Sequence, residues 1–524
     1  MTPTDAGSVP RPAGNRPQAH PLTLADLGDL VGIPVTVDGG ADPVVSGVTL
    51  ASGEVRRGDL YAALPGSRTH GARFAADAAR RGAVAVLTDP TGRETAAATG
   101  LPVCVVDDPR AVLGLVADRV YGEPSRQLTV LGITGTNGKT TTAYLVEAGL
   151  AAAGLGTGLI GTVQTRTRGR AADGTPTETA FPSVRTTPEA PALHALLATM
   201  AGSGVSAVVM EVSSHALVLG RVGGVRFAAA GFTNLGRDHL DFHGDLEEYF
   251  QAKALLFDGR AEREVVTVDD DAGRRLAGLR PDAGTVSVSG PADWQATDVA
   301  PAADGGSTFT VTGPGGRSWP ARLRLPGRFN VANAVLAVAL LDAVGVPVET
   351  ALAGIAGTVV PGRMEPVEAG QPFVAVVDYA HTPDAVATAL AALRGATQGR
   401  LITVLGCGGD RDPGKRPGMG AAAAEGSDVL VVTDDNPRSE DPAVIRAAML
   451  AGVQDVPRDR RAEVHEIAGR RNALAAAASL ARPGDVLLVA GKGHETGQEI
   501  AGTVHPFDDR DVLREVLAAL GTSA

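Results

Sequence analysis

The sequence predicts an α/β protein of about three domains, and three observations carry that expectation. The chain has 524 residues, more than one core holds at the usual ~150 residues per domain. The stretch TVLGITGTNGKTTT (residues 129–142) runs from a β-branched apolar segment through glycines into a helical pattern that opens at Lys139. In the last third of the chain, successive apolar strand patterns each end in a loop crowded with charged and amide side chains.

Composition narrows the function classes. Hydrophobic residues at 44% and charged residues at 20% describe a soluble globular protein. A net charge of −12 argues against a nucleic-acid binder with a broad basic face, although local Lys and Arg can still hold an anionic small molecule. Cys104 and Cys407 lie far apart in apolar or Gly-rich strand ends. There is no disulfide framework, so a reducing, cytoplasmic compartment is expected. No segment reaches ~18 consecutive apolar residues, so no membrane span is expected. Residues 1–20 are rich in Pro, Gly and Asn without an apolar core; they read as a disordered tail and not as a signal peptide.

From residue 21 the pattern becomes regular. LTLADLGDLVG reads as a short helix, PVVSGVTLAS as a strand, and the segment to residue 89 as a loop, a helix and an apolar strand. PVCVVDD and the helical run at residues 110–122 close a small α/β domain over residues 21–124. The second domain, residues 125–360, opens on the glycine loop. Strand, glycine loop, Lys-Thr and helix together make a cradle for a triphosphate. Gly135 and Gly138 free backbone N–H groups to face phosphates, the helix start adds partial positive charge, and Thr140 offers magnesium a hydroxyl. The strict P-loop spacing fails, because it requires glycine where Ile133 stands.

Beyond it, Thr186, Thr187, Pro188 and Glu189 form a good helix start: threonine cap, early proline, acid in the first turn. An apolar strand then ends at Glu211. A carboxylate at that point, beside the phosphate-loop strand, suits a magnesium ligand or a water-orienting acid. Ser213, Ser214 and His215 follow, with no matching base-plus-acid arrangement for a serine nucleophile. Arg237, Asp238, His239, Asp241 and His243 crowd the next loop, short of the three or four clustered His or Cys that zinc wants. Lys253 lies in the helix after it, where a lysine is ordinarily solvated. Residues 323–341 end in a strongly apolar helix, and Asn330 and Asn333 at its start suit capping.

The last domain, residues 361–524, opens at VPGRMEPV. AVVDYAHTPD, LITVLGCGGDRDPGKRP, DVLVVTDDNPRSEDP and DVLLVAGKGHE follow, each a strand with a loaded end. Ligands bind at the carboxyl ends of strands in open α/β sheets, so the four ends are expected to converge on one crevice. Asp435, Asn436, Pro437 and Arg438 read either as a turn or as a stiffened loop presenting an arginine fork to a carboxylate. In the second case, a partner lacking that carboxylate leaves a guanidinium desolvated and unpaired, at a cost of roughly 3–5 kcal/mol.

TGTNGKTT, VPGRMEPV, VVDYAHTPD, GCGGDRD, DDNPR and AGKGHE together resemble the Mur ligase family from about Leu24 onward. The resemblance implies that family's three-domain α/β architecture, with a central P-loop ATPase domain and a C-terminal Rossmann-like domain. It implies an ATP-driven amide ligase of peptidoglycan precursor synthesis, and so of cell-wall biogenesis, cell shape and division. The substrates implied are a UDP-muramoyl-dipeptide and diaminopimelate, the cofactors are ATP and Mg2+, and a monomer is expected. Residues carry over one by one. Gly135, Thr136, Asn137, Gly138, Lys139, Thr140, Thr141, Asn330, Arg363 and Asp378 would hold ATP. Lys139, Glu211, His239 and Lys253 would be catalytic, and Thr140, Glu211, His239 and Lys253 (as N6-carboxylysine) would hold metal.

Ser52, His70, Thr186, Thr187, Ser213 and Arg221 would hold the uridine substrate. His70 also reads as an ordinary loop histidine, and Ala51-Ser52-Gly53 stands where the family has Asp-Ser-Arg, so only Ser52 carries over there. Arg411, Asp435, Asn436, Pro437, Arg438, Gly491 and Glu495 would hold diaminopimelate. A folylpolyglutamate-type ligase shares the glycine-loop wording but does not explain DDNPR or GCGGDRD, and lysine-adding relatives differ at DNPR. A nucleotide sensor on a dead ligase scaffold would have lost Lys139, Glu211 or Lys253, and all three are present.

Overall fold

The computed structural model describes residues 17, 19–33, 35–36, 42–66, 68–170, 174–302, 305–395 and 397–521. The predicted tail at residues 1–20 lies outside them except for residues 17, 19 and 20. The chain separates into two compact units: Met1–Thr285 with Leu336–Ala351, and Val286–Val335 with Leu352–Ala524.

The first unit carries two main sheets and a short two-stranded pairing. In the first, strands follow the order Val35–Thr36, Val103–Val105, Ala85–Thr88, Asp59–Ala63, Gly47–Thr49, parallel from Val103–Val105 onward. The single strand expected at PVVSGVTLAS is two short ones. Val44–Val45 pairs with Leu22–Thr23, and Gly47–Thr49 joins the sheet. The switch falls at Ser46, whose backbone N–H is taken by the carbonyl of Gly58.

In the second sheet, Thr157–Ile160, Ala207–Glu211, Thr129–Thr134, Phe227–Phe232 and Ala261–Thr267 run parallel in that order. An antiparallel hairpin, Thr165–Arg170 with Pro176–Phe181, extends it at one edge. Such near-continuous apolar strands require cover on both faces. Leu193, Leu197, Met200, Phe227, Phe232, Phe250 and Phe257 belong to one buried cluster packed here. Because the strands are parallel, the loops after Thr134, Ile160, Glu211 and Phe232 open at one edge.

The second unit holds an antiparallel meander, Trp294–Pro301, Ser307–Thr312 and Ser318–Leu323. Its main sheet follows the order Glu365–Pro366, Val374–Asp378, Val486–Ala490, Leu401–Cys407, Val429–Asp434, Glu463–Glu466, parallel from Val374–Asp378 onward. Asp378 pairs with Ala490, and Cys407 with Asp434, so the strand ends predicted to converge do lie on one edge of one sheet. No helix among the described residues is long and apolar enough to cross a membrane.

Candidate active site

The phosphate loop stands at the end of Thr129–Thr134, and the helix Lys139–Ala152 starts directly behind it. Gly135 has φ 145°, and a Cβ there would lie 1.8 Å from the hydroxyl of Thr233. No other residue fits. The next strand end buttresses the loop: Thr233 Oγ1 donates to Asn137 O at 2.6 Å, and Asn234 Oδ1 accepts from Asn137 N at 3.0 Å. Lys139 Nζ is folded back onto the loop, donating to the carbonyls of Gly135 and Thr136 at 2.8 Å each.

Thr140 Oγ1 donates to Glu211 Oε2 at 3.0 Å, and both residues are buried. Glu211 also accepts from Thr162, through its backbone N–H at 2.8 Å and its hydroxyl at 3.1 Å. The Thr162 hydroxyl in turn lies 2.9 Å from that of Thr186. A hydrogen-bonded run therefore leads from Thr140, behind the glycine loop, through Glu211 and Thr162 to Thr186. Sequence reasoning missed Thr162 and Asn234. The signal for Thr162 was its place after the strand Thr157–Ile160, beside the strand that ends in Glu211.

The helix predicted to start at Thr186-Thr187 begins later. It spans Ala190–Gly202 with Glu189 at the N-cap, and Thr187 does not cap it. Thr187 Oγ1 is committed elsewhere, donating to Glu211 O at 2.9 Å and accepting from Ser213 N at 3.1 Å. Arg221 reaches Thr187 O and forms an ion pair with Glu189 at 2.9 Å. Ser213 caps the short helix Ser214–Val218, which gives its hydroxyl structural work.

Lys253 is not a solvated lysine. It is 1% exposed, its Nζ donates to Gly135 O at 2.7 Å, and it sits 4.2 Å over the Tyr249 ring. Burial, reinforced by the nearby Lys139 and opposed by Asp238, holds its ammonium well below the usual lysine range. His239 has φ 53° and stands edge-on to His215, with ring centres 4.8 Å apart. The side chain of Asp241 lies outside the described residues.

A magnesium site needs few protein ligands, since the ion keeps several waters and takes phosphate oxygens. The touching pair of Thr140 hydroxyl and Glu211 carboxylate, at the start of the phosphate-loop helix, fits that requirement. Among the described residues no group of three or more His, Cys, Asp and Glu gathers as a metal site.

In the small N-terminal sheet, both ring nitrogens of His70 are engaged. Nδ1 accepts from Ala72 N at 3.0 Å and Nε2 lies 2.9 Å from Asp89 Oδ1, leaving a partly exposed ring edge. Ser52 opens a 3-10 turn.

In the second unit, Asp378 is half-buried at the end of its strand. Its oxygens accept from Met364 N at 2.7 Å and Ala380 N at 2.8 Å, fixing the turn that carries Arg363. Burial pushes its carboxyl up, opposed by Arg363 and by these bonds. The Arg363 guanidinium lies 4.4 Å over the Tyr379 ring. Asn330 is buried in the first turn of Arg328–Ala343, where its amide donates to Pro326 O at 2.8 Å.

The loops after Asp434 and Ala490 are bonded to one another. Asn436 Nδ2 donates to Glu495 Oε2 at 2.7 Å, and Lys492 Nζ reaches Asn436 Oδ1 at 3.1 Å and Glu495 at 3.2 Å. Gly491 has φ 111°, and a Cβ there would come within 2.7 Å of the Asp435 carboxylate. Arg411 is exposed.

Sequence reasoning also missed the hairpin of Gly497–Ile500 with Thr503–Pro506. Gln498 donates to Asp435 O at 2.5 Å, and the backbone of Arg438 pairs with Glu499 and Ala501. Arg438, at φ 52°, donates to Gly409 O at 2.6 Å and stands 3.4 Å from Glu499. The guanidinium therefore already has partners within the protein, so the roughly 3–5 kcal/mol expected for a wholly stranded charge is an upper bound.

The fold is α/β, with a strand–glycine loop–helix in the first unit and a parallel sheet whose loaded strand ends share one edge in the second. Three profiles of one family match the sequence: "Mur ligase family, catalytic domain" at residues 44–121, "Mur ligase middle domain" at 133–341 and "Mur ligase, glutamate ligase domain" at 362–493. The chain belongs to the Mur ligase family.

It is 54% identical to UDP-N-acetylmuramoyl-L-alanyl-D-glutamate--2,6-diaminopimelate ligase of Streptomyces avermitilis, over 97% of this chain and 98% of that one. It is 48% identical to the protein of the same name from Corynebacterium glutamicum, covering 94% and 95%. A solved structure titled as the same ligase matches with a TM-score of 0.68 at 30% identity, covering 96% of this chain and 99% of that one.

Proposed function

We propose that the chain is an ATP-dependent ligase that adds diaminopimelate to UDP-N-acetylmuramoyl-L-alanyl-D-glutamate in peptidoglycan precursor synthesis. The observation that carries this is the hydrogen-bonded run Thr140–Glu211–Thr162–Thr186, which links the phosphate loop to the substrate loop. Likeness to the Streptomyces relative over nearly the whole of both chains supports it.

A carboxylate resists attack by an amine because its leaving group would be oxide. Transfer of the γ-phosphoryl group to one carboxylate oxygen, with ADP leaving, gives an acyl phosphate. The acceptor amine then attacks its carbonyl carbon, loses a proton, and inorganic phosphate departs as the amide forms. Lys139 exchanges its loop carbonyls for phosphate oxygens and neutralises charge as the phosphoryl group moves. Thr140 and Glu211 would hold Mg2+, with His239 and a carbamylated Lys253 as further ligands; bound there, Mg2+ would supply Lewis-acid stabilisation of the phosphoryl oxygens.

Thr186, Thr187, Ser213 and Arg221 orient the dipeptide end, Ser52 and His70 the uridine. Asn330, Arg363 and Asp378 address the nucleotide, while Arg411, Asp435, Asn436, Pro437, Arg438, Gly491 and Glu495 take the acceptor. On this reading the domains are residues 21–124, 125–360 and 361–524, acting as a monomer in the cytoplasm. Both cysteines are free and buried, which suits a reducing compartment.

The test is ADP release and product mass with ATP, Mg2+ and the UDP-muramoyl-dipeptide, offering diaminopimelate, lysine or a folate-type substrate in turn. Turnover with diaminopimelate well above lysine is expected. Turnover only with the folate-type substrate would overturn the proposal.

A further inference from the structure

Arg470 and Asp509 lie outside every loop assigned to the acceptor, and their paired side chains are both 0% exposed. A buried ion pair is no general route to stability, because desolvating two charges offsets their attraction and an apolar pair of similar volume does as well. What else the guanidinium holds is therefore informative. Nε and Nη2 donate to the two oxygens of Asp509 at 2.7 and 2.6 Å. Nη2 also donates to Ala490 O at 2.9 Å, and Nη1 to Asp434 O at 3.2 Å.

Ala490 ends the strand Val486–Ala490, and Asp434 ends Val429–Asp434. These strands are not neighbours, since Leu401–Cys407 runs between them. One planar group thus ties the ends of two strands across a third, at the residues just before Gly491 and Asp435. Its own anchors are helical: Arg470 opens the helix Arg470–Leu480, and Asp509 opens Asp509–Gly521. On the other side of these loops, Asn436, Lys492 and Glu495 bond one another. Asn436 and Glu495 are side chains an acceptor must meet, so their mutual bond cannot alone fix the gap between the loops.

We propose that Arg470, held by Asp509, is a positioning residue for the acceptor: it sets the spacing between the 435–438 and 491–495 loops, so that Asn436, Arg438 and Glu495 meet the two ends of one amino acid. This rests on the reading of those loops as the diaminopimelate site. A rigid fork is required because a lysine ammonium is a point donor on a flexible stem and cannot span two carbonyls and a carboxylate in one plane.

The experiment is steady-state kinetics on the full chain with Arg470→Lys and Asp509→Asn, measuring KM separately for diaminopimelate, ATP and the UDP-muramoyl-dipeptide. For Arg470→Lys the diaminopimelate KM should rise about tenfold or more, since small misplacements of binding groups are costly. The preference over lysine should shrink with it, while the other two KM values stay within about twofold. Asp509→Asn should show the same selective rise by a smaller factor.

A uniform shift of all three KM values with a lowered melting temperature would assign the pair a merely structural role and overturn the proposal. So would an unchanged diaminopimelate KM, or failure of both variants to fold. Wild type and Arg438→Ala run in parallel test the underlying reading by themselves. Equal use of lysine by wild type, or an unchanged preference in Arg438→Ala, removes that reading whatever Arg470→Lys does.

Discussion

The phosphate loop of the first unit is one contiguous stretch whose working groups are backbone N–H donors, a lysine and a threonine hydroxyl. Its supports, Thr233, Asn234 and Glu211, come from the two strands flanking its own. The proposed acceptor site of the second unit is assembled from loops after several strands, tied by the hairpin beside Gln498 and by the buried Arg470–Asp509 pair. A phosphate chain is bound mainly through backbone geometry that a short motif can encode. Telling diaminopimelate from lysine requires two ends of a zwitterion to be met at a fixed separation. That separation belongs to the sheet, so groups remote in sequence must guard it.

The difference can be pressed hardest at Lys139. Lys139→Ala should cut kcat by about 10²–10³-fold, the scale of losing one group aimed at developing charge. Circular dichroism and melting should stay near wild type; near-normal turnover at saturating ATP would show that the loop does not carry the chemistry. Lys253→Ala should cost about 10²-fold if its carbamate helps hold the metal. The wild type, prepared in carbon-13 bicarbonate, should give a carbamate carbon signal that the variant lacks. Arg438→Ala should lower the preference for diaminopimelate over lysine by about 10–100-fold, the worth of a charged hydrogen bond, and leave the KM for ATP alone. Equal loss toward both acceptors would place specificity elsewhere.

A subtler contrast lies between two buried groups of the first unit. His194 Nε2 bonds Gly223 O at 2.8 Å, and His194 Nδ1 stands 3.4 Å from Asp118 Oδ1. Burial pushes His194 down to about 4, opposed by the Gly223 bond. Burial pushes the Asp118 carboxyl up to about 6, with Glu123 adding and Arg119 and Arg126 opposing. The two act with opposite signs.

His194, depressed from 6.5 to about 4, contributes stability above its unfolded value that is lost as pH falls through that window. Asp118, raised from 3.8 to about 6, contributes stability at low pH that is lost as pH rises through its own window. Together they nearly cancel between about 4 and 6. Asp118→Asn removes one side, so acid should destabilise the variant by on the order of 3 kcal/mol more than wild type between pH 6.5 and 4. Thermal melts across that range test it, and parallel curves for the two proteins would refute it. Smallest of all, Gln498→Ala should raise the diaminopimelate KM about threefold through the loosened Asp435 carbonyl, at unchanged KM for ATP. No change would show that the hairpin backbone alone suffices.

The sequence by itself determined the local devices. The strand–glycine loop–helix, the parallel sheets and the loaded strand ends follow from hydrophobic period, glycine placement and residue chemistry within windows of ten or fifteen residues. Tertiary structure decided what those devices touch. Thr187 read as a helix cap, yet the backbone of Glu211 and Ser213 claimed its hydroxyl, and the helix began at Ala190 instead.

Lys253 read equally as a solvated lysine, and only packing against Tyr249 and the Gly135 carbonyl buried it. Thr162, Gln498, Arg470 and Asp509 carry no motif at all. Their roles arise because parallel strands bring ends that are distant along the chain to one edge, where each unsatisfied carbonyl or carboxylate takes the nearest donor, and no local pattern records which donor that will be.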